Sequence, residues 1–177
     1  MGQVRSRLRV KYFCGLLLSP AIDQAEVEVA LEQDLGPITF RSPAWPFTQT
    51  QYYRDEMGSN LTRSFVAFGP LREMADLAAV KHTTNRLEAR WAGQGDQRQV
   101  NLDPGYLDLA KVILATTKDY AHRLYIGAGM YAEVTLRYQR RSYQPWEWTY
   151  PDYREGPVLA FFNQLREAYK AQLRELS

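Results

Sequence analysis

The sequence contains few of the residues that build metal centres and disulfides. It has one cysteine, Cys14, and two histidines, His82 and His122, in 177 residues. A single cysteine excludes an intramolecular disulfide and any multi-cysteine zinc site. Cys14 lies in the apolar run 12–18, where a buried, unreactive thiol is expected. We therefore predict no metal site, and the sequence identifies no cofactor.

Long apolar runs and a large net charge are also missing. The run 13–18 is shorter than the apolar part of a signal peptide, and Pro20 and Asp23 follow it. No segment approaches the roughly 18 apolar residues of a membrane span. The net charge of +2 is too small to indicate binding to nucleic acid or to a membrane. We therefore expect a soluble, cytoplasmic protein, and a length of 177 residues fits a single domain, 1–177.

A phosphate-binding loop of the G-x-x-x-x-G-K-[ST] type is likewise absent. Aromatic residues, in contrast, are abundant, with 12 tyrosines and 4 tryptophans. Such side chains favour half-buried walls and interfaces, because they combine an apolar body with a polar tip. They are concentrated in two segments, 45–58 and 145–154, which also carry acidic residues. We expect these two segments to close over one pocket.

The hydrophobic pattern alternates between strand-like and helix-like segments. The pattern predicts strands over 9–18, 38–41, 61–68, 99–102, 120–126 and 130–138. It predicts helices over 21–35, 71–91, 104–116 and 157–176, and a long loop over 42–59. The helix over 104–116 is predicted because Asp103 suits an N-cap and Pro104 suits the first helical position.

This order of elements predicts an α+β fold. The glycine-tipped segment 127–129 indicates a hairpin, because Gly127 and Gly129 can supply the positive φ angles of a tight loop. We therefore expect a mixed, partly antiparallel sheet with helices packed on it. An elaborated ferredoxin-like order, β-α-β-β-α-β, is one arrangement that the pattern fits.

The same loop sets the register of the hairpin between 120–126 and 130–138. One face is predicted to be apolar, with Leu124, Ile126, Met130, Ala132, Val134 and Leu136. The other face is predicted to carry the cross-strand pairs Tyr125–Tyr131, Arg123–Glu133 and Asp119–Arg137. This register places His122 on the apolar face, although a shift by one residue would reverse its direction.

Two interpretations of the charged face stay open. It is either a solvated surface, with pairs that each contribute about 0.2–1 kcal/mol, or the floor of a polar cleft. In the second case the guanidinium groups would bind a carboxylate or phosphate. The candidate anion-binding residues are Arg123, Arg137 and Lys118. The candidate acid–base residues are Glu133, Asp103 and His122, and the candidate walls are Tyr52, Tyr53, Trp146 and Trp148.

Several strings in the chain are long and specific. They include NLDPGY at 101–106, LATTKD at 114–119, YAEVTL at 131–136 and WTYPDYR at 148–154. Others are FCGL at 13–16, YYRDEMG at 52–58 and the pair His122-Arg123. Through these strings nearly the whole chain resembles the bacterial domain-of-unknown-function family 4416. The resemblance implies no activity, because that family has none assigned.

The residues favour a protein that binds a small anionic ligand, such as a nucleotide or a phosphorylated metabolite, in a polar cleft. The carboxylates and His122 suffice for acid–base chemistry, so whether the protein is an enzyme stays open. One alternative is a protein-interaction module that uses its tyrosine- and tryptophan-rich loops. Another is an RNA-binding protein, although Glu147 and Asp152 in the second aromatic segment would repel a phosphate backbone.

Overall fold

The protein is represented by a computed structural model, which describes residues 9–48, 54–93 and 98–176. The described strands are β1 Val10–Leu18, β2 Ile38–Arg41, β3 Trp45–Pro46, β4 Thr62–Arg72, β5 Val100–Leu107, β6 Lys111–Thr116, β7 Leu124–Gly127, β8 Met130–Gln139 and β9 Ser142–Pro145. The helices are α1 Gln24–Leu35, α3 Leu77–Glu88 and α4 Gly156–Glu175, with a single turn, α2, at Arg54–Met57.

The nine strands form one sheet with the order β2-β4-β1-β5-β6-β8-β7. β3 pairs with β4, and β9 pairs with β8. Every pairing among the described strands is antiparallel. The predicted α+β class is therefore confirmed, whereas the sheet is antiparallel rather than mixed. The ferredoxin-like order is not seen.

The central strand β1 is buried along its whole length, since helices cover both faces of the sheet. On one face, Cys14 packs in a core with residues of α1 and α3. On the other face, which we call the α4 face, Phe13 packs in a second core with residues of α4. No helix in the described ranges combines the length and the apolar composition that crossing a membrane requires.

The predicted helix over 104–116 is wrong, because this segment forms the hairpin β5–β6. Asp108 closes the turn, and its Oδ1 accepts hydrogen bonds from the backbone N–H groups of Ala110 and Lys111 at 2.7 and 2.9 Å. Asp103 does not cap a helix but forms an ion pair. Pairing with β1 and β8 therefore overrides the local helix-start signal, which is a weak determinant next to tertiary contacts.

The second predicted hairpin, β7–β8, is confirmed in part. Tyr125 lies opposite Tyr131, and Leu124 lies opposite Ala132, as the register predicted. Gly127, however, rather than Ile126, lies opposite Met130.

The predicted apolar face of this hairpin does not hold along its full length. Leu124 is 74% exposed. A bulge in β8 between Val134 and Leu136 turns Leu136 to the α4 face, where it joins the core. An extra residue in a strand reverses the direction of the side chains beyond it.

Candidate functional site

A cleft opens where β5 and β6 separate. The two strands pair over three residue pairs only, and the last pair is Gly105 with Leu114. Pro104 follows immediately, and proline has no N–H to donate to a ladder. The hairpin therefore splits at the Asp103-Pro104-Gly105 string.

Side chains of α3 replace the missing strand. Glu88 Oε1 accepts a hydrogen bond from the backbone N–H of Leu102 at 2.6 Å, and Lys81 Nζ donates to the carbonyl of Leu102 at 2.8 Å. Leu102 and Pro104 are two residues apart, so their backbone groups point to the same side of β5. Glu88 and Lys81 thus satisfy the strand edge that β6 leaves, and they line the gap.

The cleft has a volume of about 420 Å³, within the range of small-molecule sites. Its lining is rich in ionisable groups. The acidic side chains are Glu56, Glu88, Asp103, Glu133 and Asp152. The cationic side chains are Arg63, Lys81, Arg98 and Lys118.

Arg63 organises one group of these side chains from β4. It is only 5% exposed, and it donates from Nε to Asp152 Oδ2 and from Nη1 to Asp103 Oδ2, both at 2.9 Å. Asn101 Nδ2 donates to the same oxygen of Asp103 at 2.9 Å. Burial would raise the pKa of Asp103, but Arg63 and Lys81 outweigh burial and lower it. Asp103 is therefore held as a carboxylate.

Glu133 organises a second group from β8. It is 3% exposed, and its Oε2 accepts hydrogen bonds from Arg123 Nε at 2.9 Å and from His122 Nε2 at 3.2 Å. Arg123 also donates to the hydroxyl of Tyr150 at 2.7 Å and to the carbonyl of Lys118 at 3.0 Å. Arg123 is thus committed to protein acceptors, and it fixes the wall of the cleft around Glu133.

A stack of aromatic side chains packs against the ring of His122. The guanidinium of Arg137 lies 4.0 Å from the ring centroid of Trp146. Trp146 stacks on Trp148 at 5.0 Å, and Trp148 stacks on His122 at 5.2 Å. Trp148 Nε1 donates to the carbonyl of Val134 at 2.9 Å, which ties the stack to β8. The tryptophans therefore brace the His122–Glu133 contact.

Tyr153 brings an unused hydroxyl to the cleft. Its side chain lines the cavity and is 1% exposed, and no hydrogen bond from the described residues reaches its hydroxyl. A Cβ added to Gly15 would lie 3.1 Å from that hydroxyl and 3.2 Å from Arg63 Nη1, so glycine leaves room for both groups. Burial raises the pKa of Tyr153, which keeps the phenol protonated and able to donate.

The structure brings together part of the set that the sequence predicted. Asp103, Glu133 and Lys118 line the cleft. Arg123 and His122 are not part of the lining but contact Glu133, which is. The side chains in the stack outside the lining are Arg137, Trp146 and Trp148. Tyr52 and Tyr53 lie outside the described residues, although Phe47 and Glu56 of the same predicted loop line the cleft.

Sequence reasoning missed Arg63, Lys81, Glu88 and Asp152. Arg63 carried a usable signal, since it shares one face of the predicted strand 61–68 with Leu61, Phe65 and Ala67, which are apolar. Lys81 and Glu88 are seven residues apart on α3 and so share one helix face, but they lie beside its apolar stripe and look solvated in the sequence. Asp152 lies in the second aromatic segment, where its negative charge predicted only repulsion of a phosphate backbone and not an ion pair.

The family model of a domain of unknown function (DUF4416) matches residues 8–169, most of the chain. The match confirms the resemblance that the strings indicated. No curated protein and no solved structure matches the chain.

Proposed function

The chain belongs to the DUF4416 family, and we propose that it binds a small anionic molecule, a nucleotide or a phosphorylated metabolite, in the cleft between β5 and β6. One observation carries the proposal. Asp103 on β5, Glu133 on β8 and Lys118 after β6 converge on a cavity of about 420 Å³. Their convergence requires the sheet to split, and the split opens the cavity that these side chains line.

Lys81 is the residue best placed to hold the anion. It is buried, and its ammonium uses one of three N–H groups, on the carbonyl of Leu102. Among the described residues no carboxylate oxygen lies within 4.0 Å of Nζ, so no ion pair occupies it. A lysine ammonium in a water-poor site attracts phosphate as a point charge. Lys118 adds a second positive charge at the end of β6.

The second aromatic segment supplies one wall. Tyr150, Pro151, Asp152 and Tyr153 all line the cleft. The ion pair between Arg63 and Asp152 fastens this wall to the sheet. We infer that the wall excludes water from the anion, which strengthens each charged contact.

Acid–base chemistry on the bound ligand is the catalytic form of this proposal. Asp103 and Glu133 line the cleft as carboxyl groups, and His122 contacts Glu133 through Nε2. Asp103 is held ionised, but its lowered pKa makes it the weaker base, which suits it to orient a ligand group. Burial raises the pKa of Glu88 in the same cavity, so the two carboxyl groups differ in proton affinity.

A thermal-shift titration with inorganic phosphate, ribose 5-phosphate and AMP tests the binding proposal. A ligand at about 100 times its Kd should stabilise the fold by about 2.7 kcal/mol. We expect Lys118→Gln to weaken binding about tenfold, because one charge-assisted contact is lost. Lys170→Gln, at a position on α4 outside the cleft whose side chain is 42% exposed, is the matched control and should leave affinity unchanged. Absence of stabilisation by all three probes, or equal behaviour of the two variants, would contradict the proposal.

A protein-interaction role is the second candidate, and one observation favours it. Three large hydrophobic side chains, Tyr120, Leu124 and Tyr125, are 63–74% exposed at the end of the sheet. β7 is the last strand of the sheet order and carries no charged residue, although charge commonly protects an edge strand. The occupant that fits is a second copy of this chain, pairing β7 with β7. Sedimentation of the unaltered chain and of Leu124→Glu tests this pairing. We expect a dimer for the unaltered chain and a monomer for the variant, and the same mass for both would exclude pairing through β7.

A further inference from the structure

The cleft presents hydrogen-bond acceptors that the protein leaves unused. Asp103 accepts hydrogen bonds from Arg63 and Asn101 through Oδ2, and Asp152 accepts from Arg63 through Oδ2. Glu88 accepts from Leu102 through Oε1. Among the described residues, no hydrogen bond reaches the second carboxylate oxygen of any of the three, and the cation nearest to Glu88 Oε2 in an ion pair is Arg98 Nη1 at 4.0 Å. A bound molecule can therefore be stabilised by donating to them.

The balance of charge argues against a ligand that is only an anion. Five carboxylates and four cationic side chains line the cleft, so a compact polyanion would meet more negative than positive charge. Arg63 is already shared between two of the carboxylates. The favourable ligand therefore carries neutral hydrogen-bond donors beside its anionic group.

The unused protein donors decide which neutral group fits. Tyr153 has a buried hydroxyl without a partner among the described residues, and no hydrogen bond there uses Arg63 Nη2. A ligand hydroxyl both donates to a carboxylate and accepts from a phenol or guanidinium through one oxygen. An ammonium group only donates, so it would leave the hydrogens of Tyr153 and Arg63 unpaired. Hydroxyl groups therefore satisfy both sets of protein groups.

We propose that the ligand is a hydroxylated phosphate ester, such as a sugar phosphate or the ribose phosphate of a nucleotide. Its hydroxyl groups donate to Glu88, Asp103 and Asp152, and its phosphate is held by Lys81 and Lys118. The inference rests on the proposed function and names the chemical class of its ligand. The volume of about 420 Å³ accommodates a ligand of this kind.

Calorimetric titration with matched probes tests this class. The probes are inorganic phosphate, ribose 5-phosphate, 2-deoxyribose 5-phosphate and O-phosphoserine. We expect ribose 5-phosphate to bind about tenfold more tightly than its deoxy analogue, the usual effect of a hydrogen bond to a charged group. Equal affinities for the two sugar esters, or tighter binding of O-phosphoserine, would overturn the inference and leave anion binding intact. If no phosphate-bearing probe binds, the proposed function fails as well.

A variant pair locates the effect in the cleft. Glu88→Gln keeps an oxygen for the N–H of Leu102 and replaces the second carboxylate oxygen, which lies 4.0 Å from Arg98 Nη1, with a donor. We expect it to lose about tenfold in affinity for ribose 5-phosphate, while phosphate binds as well as before or more tightly, because a negative charge is removed. Glu167→Gln, an exposed position on α4, is the control. Identical titrations for the two variants would overturn the assignment to Glu88. The preference of the unaltered chain for ribose 5-phosphate over its deoxy analogue tests the ligand class independently of either variant.

Discussion

The guanidinium of Arg63 and the carboxylate of Asp103 form an ion pair on the α4 face of the sheet, with Nη1 and Oδ2 2.9 Å apart. The pair joins β4 to β5 across the buried strand β1, which lies between them in the sheet. Arg63 also holds Asp152 at 2.9 Å. One buried cation therefore fixes two carboxylates and the aromatic wall of the cleft.

Replacing this cation should destabilise the fold strongly. We expect Arg63→Met to lower the free energy of unfolding by about 3–5 kcal/mol, because two buried carboxylates lose their partner. Arg86→Met is the control, since the Arg86 side chain is 68% exposed and lies 3.8 Å from Asp34. Its effect should stay within about 0.5 kcal/mol. Urea denaturation measures both, and a loss below about 1 kcal/mol for Arg63→Met would contradict a central role for the pair.

The destabilisation by Arg63→Met should depend on pH. The pKa of Asp103 is lowered from 3.8 in the folded chain, so its ionised form stabilises the fold above that pH. This contribution is lost as the pH falls through the lowered pKa. The difference between the variant and the unaltered chain should therefore be largest near neutrality and shrink below pH 3.8. A difference that grows on acidification would contradict the lowered pKa.

Glu88→Gln should change the free energy of unfolding near neutral pH in the opposite direction from Arg63→Met. Burial raises the pKa of Glu88 from 4.5, despite opposing effects of Lys81 and the N–H of Leu102. A carboxyl group with a raised pKa contributes its full stability below the unfolded pKa and loses it as the pH rises through the folded one. We expect the variant to be more stable than the unaltered chain at neutral pH, and this advantage to disappear below pH 4.5. Thermal unfolding across that range measures it, and a variant less stable near neutrality would contradict the prediction.

Gly105 is predicted to be intolerant of any side chain. An added Cβ would lie 2.2 Å from the carbonyl oxygen of Ile113 and 2.7 Å from Cζ of Phe13. The first contact is with backbone, which cannot move without breaking the last pair of the β5–β6 ladder. Gly105→Ala should therefore cost about 3 kcal/mol or more. The control Gly156→Ala, at the first residue of α4 with open space around it, should change the free energy of unfolding by no more than about 0.5 kcal/mol. Equal denaturation midpoints for the two variants would contradict the clash.

Cys14 should be unreactive in the folded chain. Its side chain is fully buried, and burial raises the pKa of the thiol, so little thiolate is exposed to reagent. We expect a thiol-specific chromogenic reagent to label it only in denaturant, with a rate under native conditions that follows global unfolding. Rapid stoichiometric labelling of the native protein would show that the sheet opens at β1.

The helix over 104–116 shows where local patterns mislead. Asp103-Pro104-Gly105 has the composition of a helix start, and the following run 111–116 is apolar enough for either structure. The strand outcome depends on β1 and β8, which supply partners on both sides. The cleft could not be predicted for the same reason. It forms only when 104–116 is a strand hairpin, in which Pro104 interrupts the ladder between β5 and β6.

The Arg123–Glu133 pair shows the reverse case. The hairpin register predicted this contact, and the two side chains meet at 2.9 Å. Its setting was not predictable, since Tyr150 and Lys118 reach Arg123 from other segments. The role of Arg123 in binding an anion stays a prediction, as does that of Arg137.

The sequence by itself determined the α+β class, the buried thiol of Cys14 and the pairing of Tyr125 with Tyr131 and of Leu124 with Ala132, because each depends on composition, periodicity or a short loop. Only the tertiary structure decided that β5 and β6 separate, that Arg63 meets Asp103 and Asp152, and that Lys81 and Glu88 face a cavity. These contacts join residues 14 to 89 positions apart. Residues so distant in the chain meet only when strand order, register and bulges are fixed together, and no local pattern encodes those three properties.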